Sequence, residues 1–286
     1  MKELDVNVRR EVLALVSDVS YALVPDWYAN TYRNLKMHLI LPKHREGHAP
    51  QPCLLFLCGG AFSVVNGGIW LPELLYFARR GYTVATIEYR TSNAAQFPAQ
   101  LIDVKAAVRY LKAHARQFCI DPDRIVISGE SAGGALCALA ATTAGMLEYE
   151  QGDYLEYDSS VAAAVDFYGV VDVDTCPRTE SAGGEVHAWT MEAYLGAGYT
   201  QADAARASAL HHVSPGTPPV MILHGTADPM VDVTQSDRFY AKLRDSGVYV
   251  EYYKLRGVGH GQDAFYQDEV KALVLAFMNK VLGETK

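Results

Sequence analysis

The sequence has no apolar run long enough to span a bilayer, which excludes a membrane-spanning helix. Positive charge is scarce: 25 Lys and Arg stand against 33 Asp and Glu, a net charge of -8. That balance, with a pI near 5.6, leaves no basic patch of the kind nucleic acid needs. Cysteine is sparse and odd in number: Cys53, Cys58, Cys119, Cys137 and Cys176 include no C-x-x-C pair, which excludes the usual zinc and redox spacings. In apolar stretches such thiols are expected to be free and to act as small buried hydrophobes. Internal repeats, low-complexity tracts and linkers are absent, so residues 1–286 are expected to form one domain. The start, Met1-Lys2-Glu3-Leu4-Asp5, carries acidic charge and lacks the apolar centre of a secretory signal, so a cytoplasmic location is expected.

What is present is apolar and alternating. Half of the residues are hydrophobic, enough for a sizeable core. Strand-like and helix-like segments follow one another through most of the chain, the signature of a mostly parallel sheet covered by helices. Strands are expected at 33–41, 53–57, 83–87, 124–128, 161–167, 219–223 and 250–255. Helices are expected at 71–80, from Pro98 onward with Leu101, Val104, Val108 and Leu111 on one face, at 132–145, and at 268–282 with Val270, Leu273, Val274 and Phe277 as a buried stripe. Two stretches break the rhythm. Residues 147–160 are acidic and tyrosine-rich and read as a surface excursion. Residues 172–218 are long for a connection and read as a small cap inserted into the domain.

The chemistry centres on Gly129-Glu130-Ser131-Ala132-Gly133-Gly134, placed between the strand at 124–128 and the helix at 132–145. A serine between glycines at a strand-to-helix turn is a nucleophile elbow, in which the hydroxyl is pushed out above the sheet edge beside the positive end of a helix. A serine hydroxyl needs an adjacent base, itself held by a third group. On an open α/β sheet these belong on loops at the carboxyl ends of later strands. His224-Gly225-Thr226-Ala227-Asp228-Pro229 follows one such strand and Gly257-Val258-Gly259-His260-Gly261 the next. Asp228 and His260 are thus the expected acid and base, with Asp232 the competing acid. His224 is assigned to its strand-end position, and His211 and His212 to the cap.

Acyl transfer also needs donors for the developing oxyanion. The Cys58-Gly59-Gly60-Ala61-Phe62 turn after the strand at 53–57 can supply the N–H groups of Gly60 and Ala61, joined by that of Ala132. A dinucleotide loop is not expected there, since the G-x-G-x-x-G spacing is missing. The aromatics expected near the site are Phe62, Trp70, Trp189, Tyr194 and Tyr199, with Trp27 from the N-terminal segment. Of these, Phe62, Trp70 and Trp189 are the candidate substrate-binding residues.

With these residues in place, the chain resembles the α/β-hydrolases of the esterase/lipase superfamily, nearest to hormone-sensitive-lipase-like esterases and bacterial acetylxylan and feruloyl esterases. The resemblance runs from about Val19 to the C-terminus. It rests on "CLLFLCGGAF", "IEYRTSNAAQFPAQLIDVKAAVRYL", "DPDRIVISGESAGGALCALAA", "PPVMILHGTADPMVDVTQSDRFYAKLRDSGVYVEYY" and "GVGHG". It implies an eight-stranded, mostly parallel sheet flanked by helices with a small cap. It also implies Ser131, Asp228 and His260 as triad and Gly60, Ala61 and Ala132 as oxyanion hole, with no cofactor and no metal. The implied partner is a small-molecule ester, of which an acylated oligosaccharide is one form; acetyl esters of plant-derived sugars come first and feruloyl esters next. No nucleic acid or membrane partner is expected, and a homodimer is the one assembly contemplated. The sequence departs from the family at Cys58, where a histidine is usual, and at Ala61, where a third glycine is common. Two rivals share the fold: a prolyl-oligopeptidase-type serine peptidase, which carries a large extra domain, and a non-catalytic receptor, which usually lacks a triad member.

Overall fold

One eight-stranded sheet organises the chain: β1 (Leu13–Asp26), β2 (Thr31–Pro42), β3 (Gln51–Leu57), β4 (Thr83–Ile87), β5 (Ile120–Glu130), β6 (Ala163–Phe167), β7 (Val220–Gly225) and β8 (Val250–Leu255). The structure is a computed structural model; it describes residues 1–175 and 184–283, with the backbone alone over 184–189. The spatial order is β1-β2-β4-β3-β5-β6-β7-β8. β1 pairs antiparallel with β2 and β2 antiparallel with β4, while every later pairing is parallel. This is the α/β-hydrolase arrangement.

The helices are α1 (Leu71–Ala78), α2 (Ala99–Ala113), α3 (Ala132–Thr142), α4 (Gly184–Leu195), α5 (Gln201–Arg206), α6 (Ala209–His212), α7 (Thr234–Asp245) and α8 (Asp268–Val281). Side chains of a strand alternate between faces, so continuous apolar runs split into two cores. Cys53, Leu55 and Leu57 of β3 join Val104, Leu136 and Phe239 from α2, α3 and α7. Leu54 and Phe56 of the same strand meet Leu74, Phe77, Val274 and Phe277 from α1 and α8. Among the described residues no helix is long and apolar enough to cross a membrane.

The structure adds α7, a helix absent from the sequence expectations, and differs from the sequence pattern in three further places. β1 is an edge strand in which only Tyr21 and Val24 are buried, and two register shifts between Val16 and Ala22 spoil its alternation, so it leaves no readable period. On α8, Leu273 faces solvent and Met278 is buried in its place. At about 100° per residue, positions 270, 274, 277 and 281 centre the buried stripe, and positions 273 and 278 lie on its opposite margins, of which the fold covers the 278 side. The 147–160 stretch is not a free surface excursion: Tyr149 and Ser159 are buried, and Lys105 and Arg109 of α2 reach across to it.

The segment between β6 and β7 carries α4, α5 and α6. α5 opens with a capping box in which Thr200 and Asp203 satisfy each other's backbone N–H. Met191, Tyr194, Ala204 and Ala209 from this segment are buried in the main core. Cys53, Cys58, Cys119 and Cys137 are free and buried, whereas Cys176 lies outside the described residues.

Candidate active site

β5 runs straight into Ser131, which holds φ 54° and ψ -120°, and α3 begins at the next residue. A left-handed backbone on a serine is costly and persists where the surroundings enforce it. Here the Ser131 N–H donates to the Phe167 carbonyl at 2.9 Å, and the Ser131 carbonyl accepts from Ala135 at 2.9 Å. Gly133 has no alternative at this turn, because a Cβ there would run into the Leu57 carbonyl of β3. The strand pairing and the tight turn together aim the hydroxyl at the carboxyl end of the sheet.

Two strands away, β7 ends at Gly225 and the chain turns through Asp228. The Ala227 N–H donates to the Val258 carbonyl at 3.0 Å, which ties this turn to the loop after β8. Asp228 Oδ1 accepts from the N–H groups of Met230 at 2.8 Å and Val231 at 2.9 Å. Asp228 Oδ2 lies 2.7 Å from His260 Nδ1, and His260 Nε2 lies 2.9 Å from Ser131 Oγ. The Asp228 side chain is fully buried and that of His260 is 16 % exposed. Burial pushes the Asp228 carboxyl up, but hydrogen bonds from His224, His260 and the Val231 N–H outweigh it and hold the group well below the ordinary carboxylate range. An ionised carboxylate accepts only, so Nδ1 carries the proton and Nε2 is the acceptor facing the serine. Asp232 is exposed and accepts from Thr234 N–H at 2.8 Å, next to the start of α7. The structure therefore joins Ser131, His260 and Asp228 in one hydrogen-bonded line and leaves Asp232 outside it.

The loop after β3 supplies the third part. Gly60, Ala61 and Phe62 hold φ of 127°, 51° and 57°, and the Gly60 carbonyl accepts from Ser63 at 2.9 Å and Val64 at 3.0 Å. Among the described residues none accepts from the N–H of Gly60 or Ala61. Ala132 is the first residue of α3, where helix N–H groups lack intrahelical partners. These are the three positions expected to hold an oxyanion.

Cys58 stands where the family has histidine, and burial pushes its thiol up to about 11, so it stays neutral. Its Sγ donates to the carbonyl of Gly59 at 3.3 Å and also meets the Asn66 backbone N–H, weak bonds for a neutral thiol. Other groups hold the loop instead. Tyr89 OH donates to the Cys58 carbonyl at 2.7 Å, and the Gly59 N–H donates to Glu130 Oε1 at 2.5 Å. Ser92 donates from its N–H to the Phe62 carbonyl at 2.8 Å.

The candidate substrate-binding aromatics fare unevenly. Phe62 is 3 % exposed and its ring stacks on Tyr194 with centroids 3.9 Å apart, so a protein ring occupies its face. Trp70 stacks on Tyr266 at 4.0 Å and donates to Glu130 Oε1 at 3.3 Å, which leaves it one face. The side chain of Trp189 lies outside the described residues. Trp27 is 64 % exposed at the tip of the β1–β2 hairpin, on the same side of the sheet as Ser131.

Four site residues were not singled out by sequence pattern: Glu130, Tyr89, Tyr168 and His224. His224 is fully buried, with Nδ1 2.7 Å from Ser236 Oγ, Nε2 2.9 Å from the Val231 carbonyl and 3.4 Å from Asp228 Oδ2. The available signal was shared: each is a polar group at or just past the carboxyl end of an apolar strand, where sites on such sheets form. Elsewhere, Asp172, Asp174 and His211 bring three ligand-type atoms within 4.8 Å of one another. His211 Nε2 lies 3.2 Å from Asp174 Oδ2, and Asp172 pairs with Arg238 at 3.5 Å, so these groups have partners within the protein.

Residues 37–243 match the family model BD-FAE. The chain is 35% identical over 213 residues to the probable carboxylic ester hydrolase LipM of Mycobacterium tuberculosis, covering 68% of this chain and 45% of that protein. It is 31% identical over 226 residues to esterase LipC of the same organism, covering 75% and 54%. The chain thus spans about half the length of the curated relatives it matches. A truncated carbohydrate esterase from gut microbiota superposes with a TM-score of 0.76 at 25% identity, covering 94% of this chain and 96% of that one. Both the matched residues and the topology assign the chain to the BD-FAE family of α/β-hydrolase-fold proteins.

Proposed function

We propose that the protein is a serine carboxylic ester hydrolase that acts on short acyl esters through an acyl-enzyme on Ser131. The observation that carries this reading is the hydrogen-bonded line from Ser131 Oγ through His260 to Asp228. In the first half-reaction Ser131 Oγ attacks the ester carbonyl while His260 Nε2 takes its proton. The carbonyl oxygen becomes the oxyanion and is met by the N–H groups of Gly60, Ala61 and Ala132. The imidazolium is stabilised by Asp228 and returns its proton to the departing alcohol as the tetrahedral intermediate collapses to the acyl-enzyme. In the second half-reaction water gives a proton to His260 and attacks the acyl carbon. Collapse then releases the acid and restores the Ser131 hydroxyl. Every proton taken is returned, so no cofactor enters.

The substrate class proposed is acetyl esters of plant-derived sugars, with feruloyl esters second. The likeness to a carbohydrate esterase supports a sugar-bearing substrate. A short acyl group suits the surroundings of the oxyanion loop, where Phe62 and Tyr194 pack ring to ring directly beside Ala61. The test is a panel of p-nitrophenyl esters from acetyl to octanoyl, run beside acetylated xylooligosaccharides and methyl ferulate. Turnover falling steeply beyond short chains, with acetate released from the oligosaccharides, is the expected result. Cleavage of peptides without ester hydrolysis, or no labelling of wild-type protein by a fluorophosphonate, would refute it.

A further inference from the structure

Glu130 sits in the elbow motif next to Ser131, yet the ester chemistry gives it no task. Its carboxylate is nonetheless buried and accepts three hydrogen bonds behind the site. Oε1 accepts from the Gly59 N–H at 2.5 Å and from Trp70 Nε1 at 3.3 Å, and Oε2 accepts from Tyr168 OH at 3.4 Å. The contact with Gly59 is so close that a Cβ on that residue would lie 2.7 Å from either carboxylate oxygen. Tyr168 places its ring edge-on to His260 with centroids 4.8 Å apart, and its hydroxyl lies 3.4 Å from that of Tyr266. Tyr266 in turn stacks on Trp70.

The strained part of the oxyanion loop begins two residues after Gly59, at Ala61. Ala61 and Phe62 both hold positive φ, a conformation that a non-glycine residue keeps only when the chain on either side is fixed. Downstream, the Ser92 N–H and hydroxyl fix the Phe62 carbonyl. Upstream, Tyr89 OH holds the Cys58 carbonyl and the Cys58 thiol makes only weak bonds, while the Gly59 N–H has one partner among the described residues, the Glu130 carboxylate.

We propose that Glu130 is a positioning residue: by accepting the Gly59 N–H it orients the oxyanion loop so that the Gly60 and Ala61 N–H groups converge on the carbon attacked by Ser131. The proposal rests on the serine-hydrolase reading and adds to it a residue that acts through the loop and touches no reacting atom. It also names, beside Tyr89, a group that holds the loop where a histidine at position 58 is usual in the family.

The test compares E130Q, which keeps an acceptor oxygen for Gly59, with E130M, which keeps the volume and removes the acceptor. The readouts are kcat and KM on p-nitrophenyl acetate and the affinity for a trifluoromethyl ketone, whose tetrahedral adduct needs the oxyanion donors. E130M is expected to lose roughly 10²–10³-fold in kcat, the size of effect seen when an oxyanion donor is lost. Its KM should stay within a few-fold and the ketone should weaken by a similar factor, while E130Q recovers most of both. E130M with wild-type kcat and a lowered melting temperature would overturn the proposal, because a purely structural residue moves stability alone. E130Q as impaired as E130M would also overturn it, since charge and not the hydrogen bond would then be at work. If E130M does not fold, the Gly59 amide proton of the wild-type protein decides: a far-downfield resonance supports the bond and an ordinary one overturns it. Wild-type protein that neither hydrolyses esters nor reacts with a fluorophosphonate would sink the hydrolase reading itself, an outcome separable from failure of Glu130 alone.

Discussion

Glu130 and Glu150 are both drawn beneath the surface, and their surroundings push their carboxyls in opposite directions. Glu150 accepts from Lys105 Nζ at 3.0 Å, from the Arg109 guanidinium and from the Ser159 hydroxyl. Both cations are completely buried on α2, four residues apart on one face of the helix. Burial raises the Glu150 carboxyl, but the Ser159 bond and the two positive charges more than offset this and leave it below the ordinary value. Glu130 has only neutral hydrogen-bond donors: an amide, an indole and a phenol. Burial dominates there, opposed by the Gly59 N–H, the Trp70 indole and the Tyr168 hydroxyl, and the carboxyl is raised. One region spends its polar groups on compensating charge, which pins the 147–160 chain to α2. The other keeps polarity only partly compensated, where a catalytic centre can use it.

If that division is right, changes on the site side should move turnover and spare stability. Ser131→Ala is the strongest case. Its hydroxyl contacts His260 and no core atom, so ester hydrolysis should fall by about 10⁶-fold, as when a triad serine is removed elsewhere, while the thermal midpoint stays close to wild type. Measurable turnover by the variant would displace Ser131 as nucleophile. Asp228→Asn should follow with a loss of about 10⁴-fold in kcat, because an amide can hold His260 in the wrong tautomer. Asp232→Asn should stay within about twofold, since its carboxylate bonds to Thr234 beside α7 and to no residue of the Ser131 line. Kinetics on p-nitrophenyl acetate decide both, and the reverse ranking would move the acid to Asp232.

Seven of the eight strands, all but β1, were legible because their information is local. An apolar run such as 53–57 needs no partner to be recognised, and the glycines around Ser131 declare a turn by themselves. Ser131, Asp228 and His260 were found by chain order and strand-end position, two rules that need no coordinates. Glu130, Tyr89 and His224 were not found, because what they do depends on groups 71, 31 and 12 residues away. The same holds for Lys105 and Arg109: an i, i+4 pair of cations on a helix reads as a solvated face, and only the fold brings Glu150 over it. Leu273 failed for a smaller reason, as a residue at the margin of a helical stripe is assigned by which neighbour packs there. Phe62 reads as a candidate stacking surface for substrate until Tyr194, 132 residues away, takes that face.

On the clamp side the signs reverse. Glu150→Gln leaves Lys105 and Arg109 buried without their anion, which should lower the stability by about 3–5 kcal/mol. Turnover per folded molecule should be unchanged, because the clamp reaches no residue of the Ser131 line. Urea unfolding measures the first quantity and active-site titration with a fluorophosphonate corrects the second. A large loss of kcat in a folded Glu150→Gln protein would show that the two regions are coupled and would break the contrast between them.

The finest test of the contrast is the pH dependence of stability, where the two glutamates should act with opposite sign. A group whose folded pKa lies below its unfolded value stabilises above the unfolded value, about 4.3 for glutamate, and loses that contribution as pH falls through the folded value. Glu150 is of this kind, so wild-type protein should lose stability on acidification and Glu150→Gln should lose less. A group whose folded pKa is raised contributes most below the unfolded value and loses that contribution as pH rises through the folded one. Glu130 is of this kind, so Glu130→Gln should gain on wild type as pH rises toward neutrality, with the gap closing in acid. Unfolding free energies from about pH 3 to about pH 8 should therefore give difference curves of opposite slope for the two variants. Parallel curves would mean that the indole, the phenol and the Gly59 amide hold Glu130 as firmly ionised as two buried cations hold Glu150, and the distinction between the two regions would then rest on geometry alone.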